Sequence, residues 1–124
     1  MMKTRAHIFA AAFVLTTCGR QEPPSLARVQ ELEQQVRAIA NTEGCDRLDQ
    51  CAAAPLGAKP CGGPRTFVVY CKATTNEAAL NRALEQLKRA EEEYNLAAGL
   101  YSDCALAPAP GIRLEGRTCT AVWP

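Results

Sequence analysis

Apolar residues recur at three- and four-residue steps through SLARVQELEQQVRAIANTEG, where Leu26, Val29, Leu32, Val36 and Ile39 form one stripe along a polar rod. That period predicts an amphipathic helix opened by Ser25 and closed between Asn41 and Gly44. With fewer than three heptads available, the stripe suits an internal core better than a coiled coil. A second stripe runs from Thr74 to Ser102, with Leu80, Leu84, Leu87, Tyr94, Ala98 and Tyr101 close to one face. Thr74 and Glu77 fit a capping box at its start, and Gly99 ends it or interrupts its last turn. Strands are fewer. TFVVY (Thr66 to Tyr70) is β-branched and aromatic, as a buried strand is. GIRLEGRTCTAVW alternates at Ile112 and Leu114, turns at Glu115-Gly116 and resumes with Thr118, Thr120 and Val122, predicting a hairpin. The expected fold class is α+β, with two amphipathic helices packed on a small antiparallel sheet of about three strands.

The N-terminus follows a different pattern. Lys3 and Arg5 precede the uncharged stretch Ile8 to Leu15, after which Arg20 and Glu22 restore polarity. A basic start, a short apolar middle and a polar exit form the layout of an export signal, and the run is too short to cross a bilayer as a helix. The stretch LTTC (Leu15 to Cys18) resembles the lipobox of bacterial lipoproteins, although Thr17 stands where a smaller residue is usual. The resemblance implies a signal peptide over residues 1–17 and lipidation of Cys18; GRQEPPS, with paired prolines and little hydrophobicity, reads as a tether over residues 18–25, and the remaining length fits one globular domain over residues 26–124. The resemblance also implies that the chain is exported and held by its lipid on the periplasmic side of the envelope. In a Gram-negative host, Gly19 after the cysteine favours the outer membrane.

Cysteine parity agrees with that assignment. The chain has seven cysteines, and giving Cys18 to a lipid leaves Cys45, Cys51, Cys61, Cys71, Cys104 and Cys119, an even set suited to disulfides in an oxidising compartment. The intervals between Cys45, Cys51, Cys61 and Cys71 lack the close C-x₂₋₄-C knuckles of a zinc site, so no metal is expected. Six cysteines allow 15 connectivities. The working expectation is Cys104 with Cys119, clamping the second helix to the terminal hairpin, with the remaining four paired among themselves. Such bridges would hold a long loop over residues 45–64 in order, where Pro55, Pro60 and Pro64 exclude regular helix.

Within that loop, KPCGGPR offers a candidate ligand site. Gly62 and Gly63 permit left-handed backbone and close approach, and Lys59 and Arg65 flank them, so amides and two cations would converge on an anion. The competing reading is a structural turn that swings the chain into the strand at Thr66, because no phosphate-loop spacing is present.

Charge and composition exclude other classes. Removing Lys3 and Arg5 with the leader leaves 12 Lys plus Arg against 13 Asp plus Glu, scattered without the basic footprint of a nucleic-acid binder. The only histidine is His7, in the expected leader, so the mature chain would lack Ser-His-Asp and Cys-His chemistry. No C-x-x-C motif is present, and no cofactor is expected. Asp46, Asp49 and the run Glu91-Glu92-Glu93 remain as carboxylates; the run reads as a solvated helix face. No catalytic residue is assigned.

The stretch LGAKPCGGPRTFVVYC, with SDCA (Ser102 to Ala105) and the terminal GRTC, resembles small exported bacterial proteins and lipoproteins that carry G-x-K-P-C-G-G-P, then a strand, a helix and S-D-C. The resemblance spans about residues 45–119 and implies export and a cysteine framework, without a biochemical activity. Cys71 departs from it, since serine often follows the tyrosine in those proteins. Three functions fit: a non-enzymatic, membrane-tethered recognition or inhibitor module presenting a rigid loop to an envelope protein or glycan, a carboxylate-dependent envelope hydrolase, or a structural spacer.

Overall fold

The computed structural model describes residues 18–124; the expected leader over residues 1–17 lies outside them. In chain order come helix α1 (Leu26–Ile39), a 3₁₀ turn (Leu48–Gln50), strands β1 (Cys51–Leu56) and β2 (Thr66–Cys71), helix α2 (Glu77–Ala97), and strands β3 (Gly111–Glu115) and β4 (Thr118–Val122). The class is α+β, but with four strands in two antiparallel hairpins rather than one sheet of about three.

Helix α1 starts where Ser25 Oγ accepts from the Arg28 amide, and it buries Val29, Leu32 and Val36. The start of α2 corrects the expected capping box: Asn76 is the cap, accepting from the Ala79 amide. Thr74 and Glu77 are engaged elsewhere, the Thr74 hydroxyl donating to the Glu43 carbonyl and the Glu77 carboxylate accepting from the Tyr70 hydroxyl. The end of α2 is also earlier than the stripe to Ser102 implied. Gly99, at φ +63°, lets its own amide return to Leu96 and that of Leu100 to Asn95, a Schellman motif that leaves Tyr101 off the helix.

Strand β1 corrects the reading of residues 45–64 as one long loop. Cys51-Ala-Ala-Ala-Pro-Leu56 pairs with β2 from Cys51↔Cys71 to Leu56↔Thr66. A two-stranded sheet has two open edges, which is where proline is tolerated in a strand, and Pro55 lies opposite Phe67. The pair is covered on both faces. Ala52, Ala54, Leu56, Val68 and Tyr70 join Leu32, Val36, Leu80 and Leu87 of the helices in one core. Cys51, Ala53, Val69 and Cys71 meet Cys119, Ile112 and Leu114 in another. Burial of alternate residues on opposite faces accounts for the unbroken apolar run TFVVY. The molecule is therefore layered, with the helix pair, β1–β2 and β3–β4 in succession.

In β3–β4 the register Glu115↔Thr118 leaves a two-residue loop, with Gly116 at φ +62° as the first position of a type II′ turn requires. Residues 41–45 stitch the layers together: the Asn41 carbonyl accepts from the Cys71 amide, and the Thr42 carbonyl from the Cys119 amide.

All six domain cysteines are paired, as Cys45–Cys71, Cys51–Cys119 and Cys61–Cys104. The expected Cys104–Cys119 bridge is not formed, because the β3–β4 hairpin packs on β1–β2, with β4 against β2 and β3 against β1, and brings Cys119 to Cys51 at the start of β1 with their Cα atoms 5.7 Å apart. Cys104 instead lies in the segment after α2, against the β1–β2 loop. The sulfurs of Cys45, Cys51 and Cys119 fall within 4.8 Å of one another, so two bridges lie side by side between the sheets. Three disulfides mark a protein of an oxidising, extracytoplasmic environment. Among the described residues no helix is long and apolar enough to cross a membrane.

Candidate functional site

The loop from Gly57 to Arg65 joins β1 to β2. Its tip is a β-turn with Pro60 in second position, closed from the Gly62 amide to the Lys59 carbonyl at 2.9 Å, and the Lys59 amide returns to Gly63. Gly62 and Gly63 adopt φ of +93° and +76°; a Cβ on either would meet nothing within 4 Å. Glycine is required there for backbone sign rather than for space.

The base of the loop is fixed to α2. The Ala58 amide donates to Glu91 Oε2 at 3.1 Å, and Asn95 Nδ2 donates to the Ala58 carbonyl at 2.9 Å. Glu91 is only 7% exposed, which corrects the reading of Glu91 to Glu93 as a uniformly solvated face; Glu92 and Glu93 alone are exposed. The reason is phase. Leu80, Leu87, Glu91 and Asn95 share the inward stripe of α2, so its last two buried positions are polar and take up the loop.

Arg65 closes the loop. Its Nε donates to Glu91 Oε1 at 2.7 Å, and its terminal nitrogen reaches Glu33 of α1, which Arg37 also contacts at 2.7 Å. Burial pushes the Glu33 carboxyl up, but hydrogen bonds from Arg37 and Arg65 outweigh it and hold the group below the ordinary carboxylate range. Burial likewise disfavours charge on Arg65, yet Glu91 and Glu33 more than offset this and keep the guanidinium cationic. Lys59 lies across the loop, its Nζ donating to the Ala105 carbonyl 3.8 Å from Asp103 Oδ1. The Ala105 amide, and then Lys59, lower the Asp103 carboxyl. Cys61–Cys104 is a further, covalent attachment.

Lys59, Gly62, Gly63 and Arg65 thus lie in one loop, but the expected convergence on an anion is not formed: Lys59 is turned onto the Ala105 carbonyl, Arg65 onto Glu91 and Glu33, and the Gly62 amide onto the Lys59 carbonyl. The remaining candidates lie elsewhere. Asp46 pairs with Arg117 and Asp49 with Arg47, both exposed at the far side of the domain. Cys18 is free and exposed ahead of α1. Beside the loop lies a groove of about 710 Å³ with mixed walls, apolar at Leu26, Val29, Pro60, Tyr94, Leu100 and Tyr101 and polar at Gln30, Glu33, Lys59, Arg65, Glu91, Asn95 and Asp103. Sequence reasoning missed Glu91 and Asn95, whose only signal is their helical phase with Leu87.

No protein-family model, no curated protein and no solved structure matches this chain.

Proposed function

We propose that this chain is a non-enzymatic lipoprotein domain of the bacterial envelope, anchored through Cys18, whose disulfide-held loop at residues 57–65 is a recognition surface for an envelope protein or glycan. One observation carries the reading: the loop is pinned by Glu91 with Asn95, by Arg65 and by Cys61–Cys104, while Pro60 to Gly63 stay exposed at its tip. A loop already ordered loses little conformational freedom on binding, which favours affinity from a small surface.

The hydrolase reading is weaker because Asp46 and Asp49 are exposed and each is engaged by an arginine, without the desolvated cleft that separates an acid from a base. The lipobox-like Leu15 to Cys18 and the cysteine framework resembling exported proteins support the anchor. Intact mass of protein purified from its native host tests it: diacylglycerol or more on Cys18, with six further sulfurs in bridges, is the expected result, and an unmodified Cys18 rejects the anchor. Crosslinking from a photoreactive residue at position 60 in whole envelopes tests recognition. A discrete adduct that vanishes with Arg65→Met, and persists with Asp46→Asn and Asp49→Asn, is the outcome expected of the loop; loss with the carboxylate changes alone would favour the hydrolase.

A further inference from the structure

Five large apolar side chains stand exposed at one end of the helix pair. Leu96, Tyr101 and Leu106 are 85%, 96% and 91% exposed, and Leu26 and Leu100 about half. Single exposed leucines are ordinary, but a cluster marks a contact surface. Four of these residues are neighbours, and the fifth follows in the segment after α2. Leu26, Leu100 and Tyr101 border one groove, Leu96 joins Leu100 and Tyr101 around a second beside Pro60, and Leu106 follows the Ala105 held by Lys59.

The N-terminal tether arrives at this same end. The helices are antiparallel: the Asn41 amide meets Thr75 at one end, while Pro23, Pro24 and Arg28 stand beside Leu96 and Ala97 at the other. From Cys18 to Ser25 a fully extended chain spans at most about 25 Å, so the start of α1 stays within that distance of a membrane holding Cys18. The Schellman turn at Gly99 and the Cys61–Cys104 bridge fix the segment after α2 with these side chains outward.

We propose that Leu26, Leu96, Leu100, Tyr101 and Leu106 form a lipid-contacting face that enters the interfacial region of the bilayer to which Cys18 is attached. The proposal rests on the anchor reading. A tethered domain needs only weak insertion, because the tether keeps the face at high local concentration against the lipid, and tyrosine suits the headgroup level. The recognition loop, adjoining the same grooves, is then carried close to the membrane surface, and its partner is membrane-proximal.

The chain from Cys18 onward holds both cores and all three bridges. Coupled through the Cys18 thiol to a maleimide lipid in phosphatidylethanolamine–phosphatidylglycerol vesicles, it acquires an anchor whether or not a cell acylates that residue. In a Trp123→Phe background, Tyr101→Trp and Leu106→Trp supply reporters on the face, and Ala73→Trp one at the far end. Brominated acyl chains should quench the reporters at 101 and 106 at least about threefold more than the one at 73, as interfacial burial requires. Adding Leu96→Ser and Leu100→Ser should bring the reporter at 106 down to the level at 73. Equal quenching at all three positions, or quenching at 106 that ignores the serines, overturns the proposal. So does a dimer in sedimentation without vesicles that the same serines dissolve, which would assign the face to a second copy of the chain. Failure of the anchor reading is separate, because it is read from the mass of host-purified Cys18.

Discussion

Arg65 joins the two helices through one guanidinium, donating to Glu91 of α2 from Nε at 2.7 Å and to Glu33 of α1 from its terminal nitrogen. Because Arg65 is the last residue before β2, this contact also fixes how the loop enters the central hairpin. It ties one side-chain charge to three elements at once.

Removing the guanidinium alone should therefore be costly. Arg65→Met leaves the buried Glu91 carboxylate with only the Ala58 amide, and breaking a fully buried pair costs about 3–5 kcal/mol. Arg65 is 40% exposed on its side chain, so solvent replaces part of the loss and about 2–3 kcal/mol is expected. Glu91→Gln in the same chain removes the orphaned charge while keeping an acceptor for Ala58. Urea unfolding should find Arg65→Met less stable than Arg65→Met/Glu91→Gln; the reverse order would mean that removing Arg65 does not orphan the Glu91 side chain.

Gly57 tests the same joint from the other side. It sits at φ +72°, and a Cβ there would run into Glu91 Oε2, which Arg65 and Ala58 prevent from moving away. Gly57→Ala adds backbone strain to the displaced carboxylate, and about 2–4 kcal/mol of destabilisation should follow in urea or thermal unfolding. Gly62→Ala, with open space around it, should cost only about 1 kcal/mol for the left-handed backbone.

Much of this arrangement is readable in the chain, and what is not has a physical reason. The stripe from Val29 to Val36, the strand at Thr66 and the turn opened by Gly116, one residue later than Glu115-Gly116 implied, follow periodicity and turn chemistry, which act locally. Strand β1 does not, because Ala52, Ala53, Ala54 and Pro55 have low strand propensity and are held as a strand by β2 and the layers on either side. Cysteine pairing depends on how those layers stack, so Cys104 and Cys119, close in sequence, bond to partners 43 and 68 residues away. In the candidate site, Lys59, Gly62, Gly63 and Arg65 are legible as a loop. That Glu91 and Asn95 would hold it depends on packing that the acidic run Glu91 to Glu93 conceals.

The three bridges should differ in lability. Cys45, Cys71 and Cys119 are buried, whereas Cys61 and Cys104 are both exposed. Attack by a thiol requires access, so mild dithiothreitol should open Cys61–Cys104 first. Differential alkylation read by mass should find labels on those two cysteines while Cys45–Cys71 and Cys51–Cys119 persist. The partly reduced chain should keep its far-ultraviolet dichroism, since both cores lie outside that bridge. Each bridge closes a chain of 26 to 68 residues and contributes about 3–4 kcal/mol in the chain-entropy account, so Cys61→Ala/Cys104→Ala should lower the unfolding midpoint without abolishing the fold.

Tyr70 predicts how the fold responds to alkali. Burial, and then its hydrogen bond to Glu77 at 2.8 Å, raise the phenol to about 12 from an unfolded value near 10. The folded state holds the phenolic proton more tightly than the unfolded state does. Its contribution to stability is therefore complete below about pH 10 and is lost as pH rises through the window to about 12. In a Cys18→Ser background, which prevents thiolate exchange with the bridges, urea unfolding at pH 9 and pH 11.5 should give a gap between the parent and Tyr70→Phe that shrinks at the higher pH. Absorbance at 295 nm should reveal a tyrosine that ionises only as the pH approaches about 12. A stability gap that stays constant across the window would mean that the Tyr70 proton is not retained by the fold.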